Sequence, residues 1–230
     1  MSASRADRGR TDRPLRARTV GLLGGSFNPA HGGHRRISLA VLAALDLAEV
    51  WWLVSPGNPL KEAEGMAPLA ARVASARRVA RRAPIRVTAI EREFGTRYTA
   101  DTLRKLLRRW PRIRFVWIMG ADNLAQFHRW KDWRWIARTV PIAVVSRPGY
   151  NRRAIAGPAM ARLRRCRVDA ARFREGRRSA PALILLSFMA DHRSATALRG
   201  RDPDWADAHA CARIRDAVTR RIVSGRAGTR

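Results

Sequence analysis

Short continuous apolar runs alternate along the chain with stretches whose apolar residues recur every three to four positions, which predicts strands alternating with helices. Residues 19–23 form a short apolar run that reads as a strand. Residues 34–47 carry Ile37, Val41, Leu42 and Leu45 on one stripe and read as a helix. The same reasoning predicts strands at 50–54, 85–90, 113–119, 140–145 and 183–188. It predicts helices at 68–82, 99–110, 133–137 and 153–164, and a closing helix at 205–223. Strands separated by helices imply an α/β fold: a parallel sheet with helices on both faces. No internal repeat interrupts the alternation.

The ends lie outside this pattern. Residues 1–18 hold six Arg, two Asp and almost no large apolar group, which predicts a disordered basic tail. Residues 220–230 have a similar composition, and a second disordered tail is expected at 224–230. A single domain is expected over 19–223, with a C-terminal helical subregion from about 189. The chain has 230 residues, of which 46% are apolar, enough for one real core. Its net charge is +29, and the stretches 1–18 and 220–230 contribute +4 each. About +21 therefore stays on the body, which should attract polyanions.

Cys166 and Cys211 make no CxxC and no metal-ligand spacing, and both read as free thiols of a reducing cytoplasm. No run approaches the roughly 18 apolar residues of a membrane span. The basic N-terminus has no apolar stretch of the kind a signal peptide needs.

The chemistry concentrates between Leu23 and His34, in the sequence LGGSFNPAHGGH. Gly24 and Gly25, directly after the first strand, allow a sharp turn and bring backbone N–H groups close to a ligand. Asn28-Pro29 sets a further turn. His31 and His34 are three residues apart, so both can face one pocket at the start of the following helix. A helix N-terminus offers unpaired N–H groups and partial positive charge, which suit a phosphate. Two imidazoles there can donate to phosphate oxygens as charge builds during transfer. Further along, Ser194, Thr196 and Arg199 combine hydroxyls with a guanidinium at another helix start, a pattern suited to holding phosphates. Asp122 follows Gly120 at the end of an apolar strand, where ligands of open parallel sheets bind; a helix N-cap is the alternative role. Phe127, Trp130, Trp133 and Trp135 form an aromatic cluster, most of which is expected to be core.

The stretch from Gly25 to His34 resembles the G-[ST]-F-[DN]-P-x-H-x-G-H signature of nucleotidyltransferases related to class I aminoacyl-tRNA synthetases. Four more segments resemble bacterial nicotinate-nucleotide adenylyltransferases in particular. They are PGNPLK at 56–61, ERE at 91–93 with the Tyr98-Thr99 and Asp101-Thr-Leu103 steps, IMGAD at 118–122 followed by Trp130, and SATALR at 194–199. The resemblance runs from about Val20 to Val223, with Arg193 where the family usually has Ile and Lys131 where an aromatic is common.

The resemblance implies a Rossmann-like nucleotidyltransferase fold with five main strands in the order 3-2-1-4-5. It implies adenylyl transfer from ATP to nicotinate mononucleotide, giving deamido-NAD and pyrophosphate, in NAD biosynthesis. His31, His34 and Arg199 would be catalytic. Gly24, Gly25, Ser26, Phe27, Gly120, Ser194 and Thr196 would join them in binding ATP. Asn58, Lys61, Tyr98, Thr99, Asp122 and Trp130 would bind the mononucleotide, with Trp130 stacking on the pyridinium ring. Mg²⁺ would arrive with ATP and need no all-protein cage. The rival readings are another acceptor, nicotinamide mononucleotide or phosphopantetheine, and an RNA-binding protein on the same scaffold. The Trp130 and Tyr98-Thr99 segments argue against phosphopantetheine, and an intact His31/His34 pair argues against RNA binding.

Overall fold

The computed structural model describes residues 18–57, 65–146, 157–176, 179–187, 195–209 and 212–224. Six strands form one parallel sheet: β1 (Thr19–Gly25), β2 (Glu49–Val54), β3 (Ile85–Thr88), β4 (Arg114–Gly120), β5 (Ile142–Ser146) and β6 (Leu183–Ser187). Their order is β3-β2-β1-β4-β5-β6, so the expected five-strand order is extended by one edge strand.

Helices cover both faces. On one lie α1 (Gly32–Leu45), α2 (Leu69–Ala80) and a short helix at Ala170–Glu175, packed through Val41, Leu45, Val73, Ala76 and Phe173. The other carries α4 (Thr99–Arg109), α5 (Ala121–Gln126), α6 (Trp133–Thr139) and α7 (Pro158–Leu163). These bury Leu103, Leu106, Leu124, Ile136 and Leu163. Because β2 is covered on both sides, Trp51 packs into the second core and Trp52 into the first, as period-two side-chain alternation requires. α3 (Ile90–Phe94) follows β3, and α9 (Ala195–Arg201) comes after the helix at Ala170–Glu175, here α8.

Four expectations need correction. The strand expected at 85–90 stops at Thr88, and Ile90 already opens α3, because the chain turns over the sheet edge at Ala89. The closing helix expected at 205–223 does not form. A 3₁₀ turn at Asp207–His209 is followed by an antiparallel hairpin of β7 (Arg213–Arg215) and β8 (Ile222–Ser224). The cause is Asp216. Its carboxylate accepts from the backbone N–H of Val218 (2.8 Å), Thr219 (2.9 Å) and Ala89 (2.7 Å). A side chain that captures following N–H groups competes with the helix, and here it fixes a turn and docks the hairpin beside β3. Finally, Arg18 is already part of the body. Its carbonyl accepts from Arg114 N–H (2.9 Å) and its guanidinium pairs with Glu49 (2.7 Å). Ser224, expected to begin the second tail, closes β8.

Candidate active site

All six strands of the main sheet run the same way, so the carboxyl ends of β1, β2, β3 and β4 share one edge. The chain winds outward from β1 to β3 on one side and from β4 to β6 on the other, so the direction reverses between β1 and β4. Such a switch point opens a crevice beyond the strand ends. Glycines flank it. A Cβ on Gly24 would meet the Trp117 ring at 2.9 Å, and the space beside Gly120 is filled by the Asp122 carboxylate.

Beyond Gly25 the chain makes a tight turn in which Phe27, buried, takes a positive φ of 48°. The Phe27 ring lies stacked on Trp52 (centroids 5.0 Å apart) and against His34 (4.8 Å). Trp52 thus backs the turn from the core, and its indole N–H donates to Ser38 Oγ (2.7 Å) on α1. Asn28 pins the next loop: its amide donates to Gly65 O (2.9 Å) and its side-chain oxygen accepts from Ala67 N–H (3.2 Å).

His31 is the N-cap of α1, a role seldom filled by His. Its Nδ1 accepts from Gly33 N–H (3.1 Å), while its own N–H donates to His34 Nδ1 (3.2 Å). This reciprocal pair brings the rings to 4.0 Å and assigns both tautomers. With Nδ1 accepting, the neutral imidazole carries its proton on Nε2. Two Nε2–H donors therefore sit at the helix N-terminus, where backbone N–H groups and the dipole already favour anions.

Arg199, 171 residues further along, donates to the carbonyl of Asn28 (2.6 Å) in this same turn, and also contacts Thr196 Oγ1 (3.4 Å). The structure thus brings Gly24, Gly25, Ser26, Phe27, His31, His34, Thr196 and Arg199 to one end of the sheet. Gly120 and Asp122 stand across the crevice. Asp122 does not cap α5: Gly120 occupies the N-cap position and no side-chain cap forms. Tyr98, not Thr99, holds the N-cap position of α4. Trp130 is half-buried and meets Phe127 (5.4 Å) and Trp117 (6.2 Å) edge-on, while Trp133 and Trp135 are also only partly buried. Tyr98 and Lys131 line an open groove of about 450 Å³ at the start of α4 that includes neither His31 nor His34. Asn58, Lys61 and Ser194 lie outside the described residues, as does Cys211. Among the described residues no three His, Cys, Asp or Glu side chains group as metal ligands, and no helix is long and apolar enough to cross a membrane.

Two residues to which the sequence assigned no role complete the frame. Arg72 of α2 is 1% exposed and donates to three backbone carbonyls within 2.8 Å, those of Ala67, Ser26 and Ser55. Glu91 of α3 is buried against the hydroxyls of Ser55 and Thr102. Desolvation pushes its carboxyl up to about 7, outweighing those two hydrogen bonds. The native state thus holds a proton that the unfolded chain releases near pH 4.5. Stability from this group is complete below that pH and is lost as pH rises through about 7, a loss of about 3 kcal/mol. Glu91→Gln should therefore match wild type in urea unfolding at pH 4 and exceed it by up to about 3 kcal/mol at pH 8. A difference that does not vary with pH would contradict the assignment.

The switch-point crevice, the glycine turn and the histidine pair define a nucleotidyltransferase, and the chain matches the cytidylyltransferase-like family over residues 22–201. A protein of Erythrobacter litoralis described as "Probable nicotinate-nucleotide adenylyltransferase" is 66% identical over 207 residues, 90% of this chain and 94% of that protein. One of the same description from Bradyrhizobium sp. (strain ORS 278) is 54% identical, covering 81% of this chain and 97% of that one. The chain belongs to the bacterial nicotinate-nucleotide adenylyltransferase family. Its fold is shared with the Plasmodium falciparum nicotinic acid mononucleotide adenylyltransferase complexed with NaAD. That match has a TM-score of 0.59 at 13% identity and covers 80% of this chain and 83% of the other.

Proposed function

We propose that this protein transfers the adenylyl group of ATP to nicotinate mononucleotide, releasing pyrophosphate and nicotinate adenine dinucleotide. The carrying observation is the His31–His34 pair, both Nδ1 atoms engaged by backbone N–H groups, at the N-terminus of α1. A phosphate oxygen of the mononucleotide attacks the α-phosphorus of ATP; the bond from that phosphorus to the bridging oxygen breaks, and pyrophosphate leaves. No side chain need become adenylylated, so catalysis is positioning and charge neutralisation. His31 and His34 donate to oxygens of the α-phosphate and of the leaving group. Arg199, with Thr196 and Ser194, holds the β- and γ-phosphates. Mg²⁺ brought by ATP would offset the charge of its phosphates, beside Arg199 and the two imidazoles.

The acceptor would lie across the crevice, with Asp122 near its ribose, Trp130 on its ring, and Tyr98, Thr99, Asn58 and Lys61 around it. The partial positive charge at the start of α4 favours a carboxylate on that ring. A carboxamide would instead turn its NH₂ toward donors, which costs about 1–3 kcal/mol. The expected preference for nicotinate over nicotinamide mononucleotide is therefore roughly tenfold to a hundredfold in kcat/KM. Trp130→Ala should weaken both acceptors alike, because stacking does not distinguish acid from amide. Pyrophosphate release with each acceptor, phosphopantetheine included, checks this. Equal use of acid and amide would remove the substrate assignment while leaving adenylyl transfer in place.

A further inference from the structure

A guanidinium that is 1% exposed is costly unless its donors are filled, and Arg72 fills them without a carboxylate. Among the described residues no acidic side chain pairs with it, and desolvation alone pulls its pKa down to about 10, which leaves it charged at neutral pH. Its acceptors are backbone carbonyls from three separate segments. Nη1 donates to Ser26 O (2.8 Å) and Ser55 O (2.6 Å), Nε to Ala67 O (2.8 Å), and Nη2 reaches toward Pro56 O (3.4 Å). Ser26 belongs to the turn that leads from β1 to His31. Ser55 and Pro56 open the loop that follows β2. Ala67 lies in the segment that Asn28 holds from the other side.

We infer that Arg72 is a positioning residue of the transfer reaction, clamping the β1–α1 turn to the loop after β2 so that the phosphates of ATP and the attacking acceptor are held at one spacing. The inference rests on the proposed reading of the reaction. Charge alone cannot do this. Spanning carbonyls from separate segments needs the planar fork of a guanidinium, whose donors diverge at fixed angles, whereas an ammonium presents its three donors from a single atom. Ser55 ties the clamp to the sheet, because its N–H donates to Gly25 O (3.0 Å). Loosening the clamp changes the separation of two reacting groups, and a misplacement on the scale of 1 Å costs on the order of a hundredfold in rate. The effect should therefore appear in kcat more than in the KM of either substrate.

The test is steady-state kinetics of full-length Arg72→Lys and Arg72→Ala beside wild type, with Mg-ATP and nicotinate mononucleotide both varied and the folded fraction set by circular dichroism. Arg72→Lys should lose roughly tenfold or more in kcat per folded molecule while each KM moves by less than about threefold. Millimolar guanidinium should restore part of the kcat of Arg72→Ala, and methylammonium should not. A merely structural Arg72 would lower the melting temperature and leave the kcat of the folded fraction alone. A kcat for Arg72→Lys within twofold of wild type overturns the inference, as does equal rescue by both cations. If Arg72→Ala does not fold, Arg72→Lys alone decides. Wild type inactive with nicotinate mononucleotide would count against the substrate, and the variants would then be compared on the acceptor that wild type does use.

Discussion

His34→Ala is expected to lower kcat by about 10²-fold or more, the scale of removing one preorganised donor from a developing phosphoryl charge. Its Nδ1 is held by the His31 N–H, and its ring is braced by Phe27 and Trp52. The Nε2–H direction is therefore set before substrate arrives, and that preorganisation is what the substitution removes. His31 needs a different variant, because it has a second job as the α1 N-cap and is only 6% exposed. His31→Ala loses the cap as well, at about 1 kcal/mol of stability. His31→Asn keeps an acceptor for Gly33 N–H but has no imidazole donor. It should retain near-normal melting while losing activity on the same scale as His34→Ala. Near-normal turnover in soluble His34→Ala or His31→Asn would take that ring out of the mechanism.

Arg199→Ala should reduce kcat/KM for ATP by about 10²-fold, the size of one charge-assisted interaction with a phosphate. Its guanidinium already reaches Asn28 O in the β1–α1 turn, so it is oriented toward the phosphates proposed to bind there. Arg199→Lys should recover only part of the loss, since one ammonium cannot hold Asn28 O and a phosphate in the same planar geometry. The contact joins α9 to a turn and lies outside both hydrophobic cores, so melting should shift little. Unchanged kcat/KM for ATP in Arg199→Ala would contradict the role.

The strands and the histidine turn were legible in the sequence because they rest on local signals. Short β-branched and apolar runs mark the strands, and Gly24, Gly25, His31 and His34 lie within eleven residues. The C-terminal hairpin was not legible. Residues 205–223 contain apolar positions compatible with a helix, and the choice of a turn at Asp216 shows only in the structure, where its carboxylate accepts from Val218 and Thr219 N–H and, across the fold, from Ala89 N–H. Arg72 was hidden by composition. Only three of 47 basic residues are lysine, so a buried arginine within an Ala-rich helix looks like its surface neighbours Arg77 and Arg78. The cap on α1 was missed for a related reason. A histidine is rarely an N-cap, and its acceptor role shows only once Gly33 N–H is seen to point at Nδ1. A cap was the alternative role for Asp122, but it lies two positions past the N-cap of α5, where Gly120 stands without a side-chain bond.

The most direct test follows the fate of the α-phosphorus. Wild-type protein is incubated with Mg-ATP labelled at the α-phosphate and with unlabelled nicotinate mononucleotide, and the products are separated. The account predicts that the label passes into nicotinate adenine dinucleotide, with one unlabelled pyrophosphate released for each dinucleotide formed and no labelled protein. Label released as AMP or ADP with the mononucleotide left unchanged would contradict it.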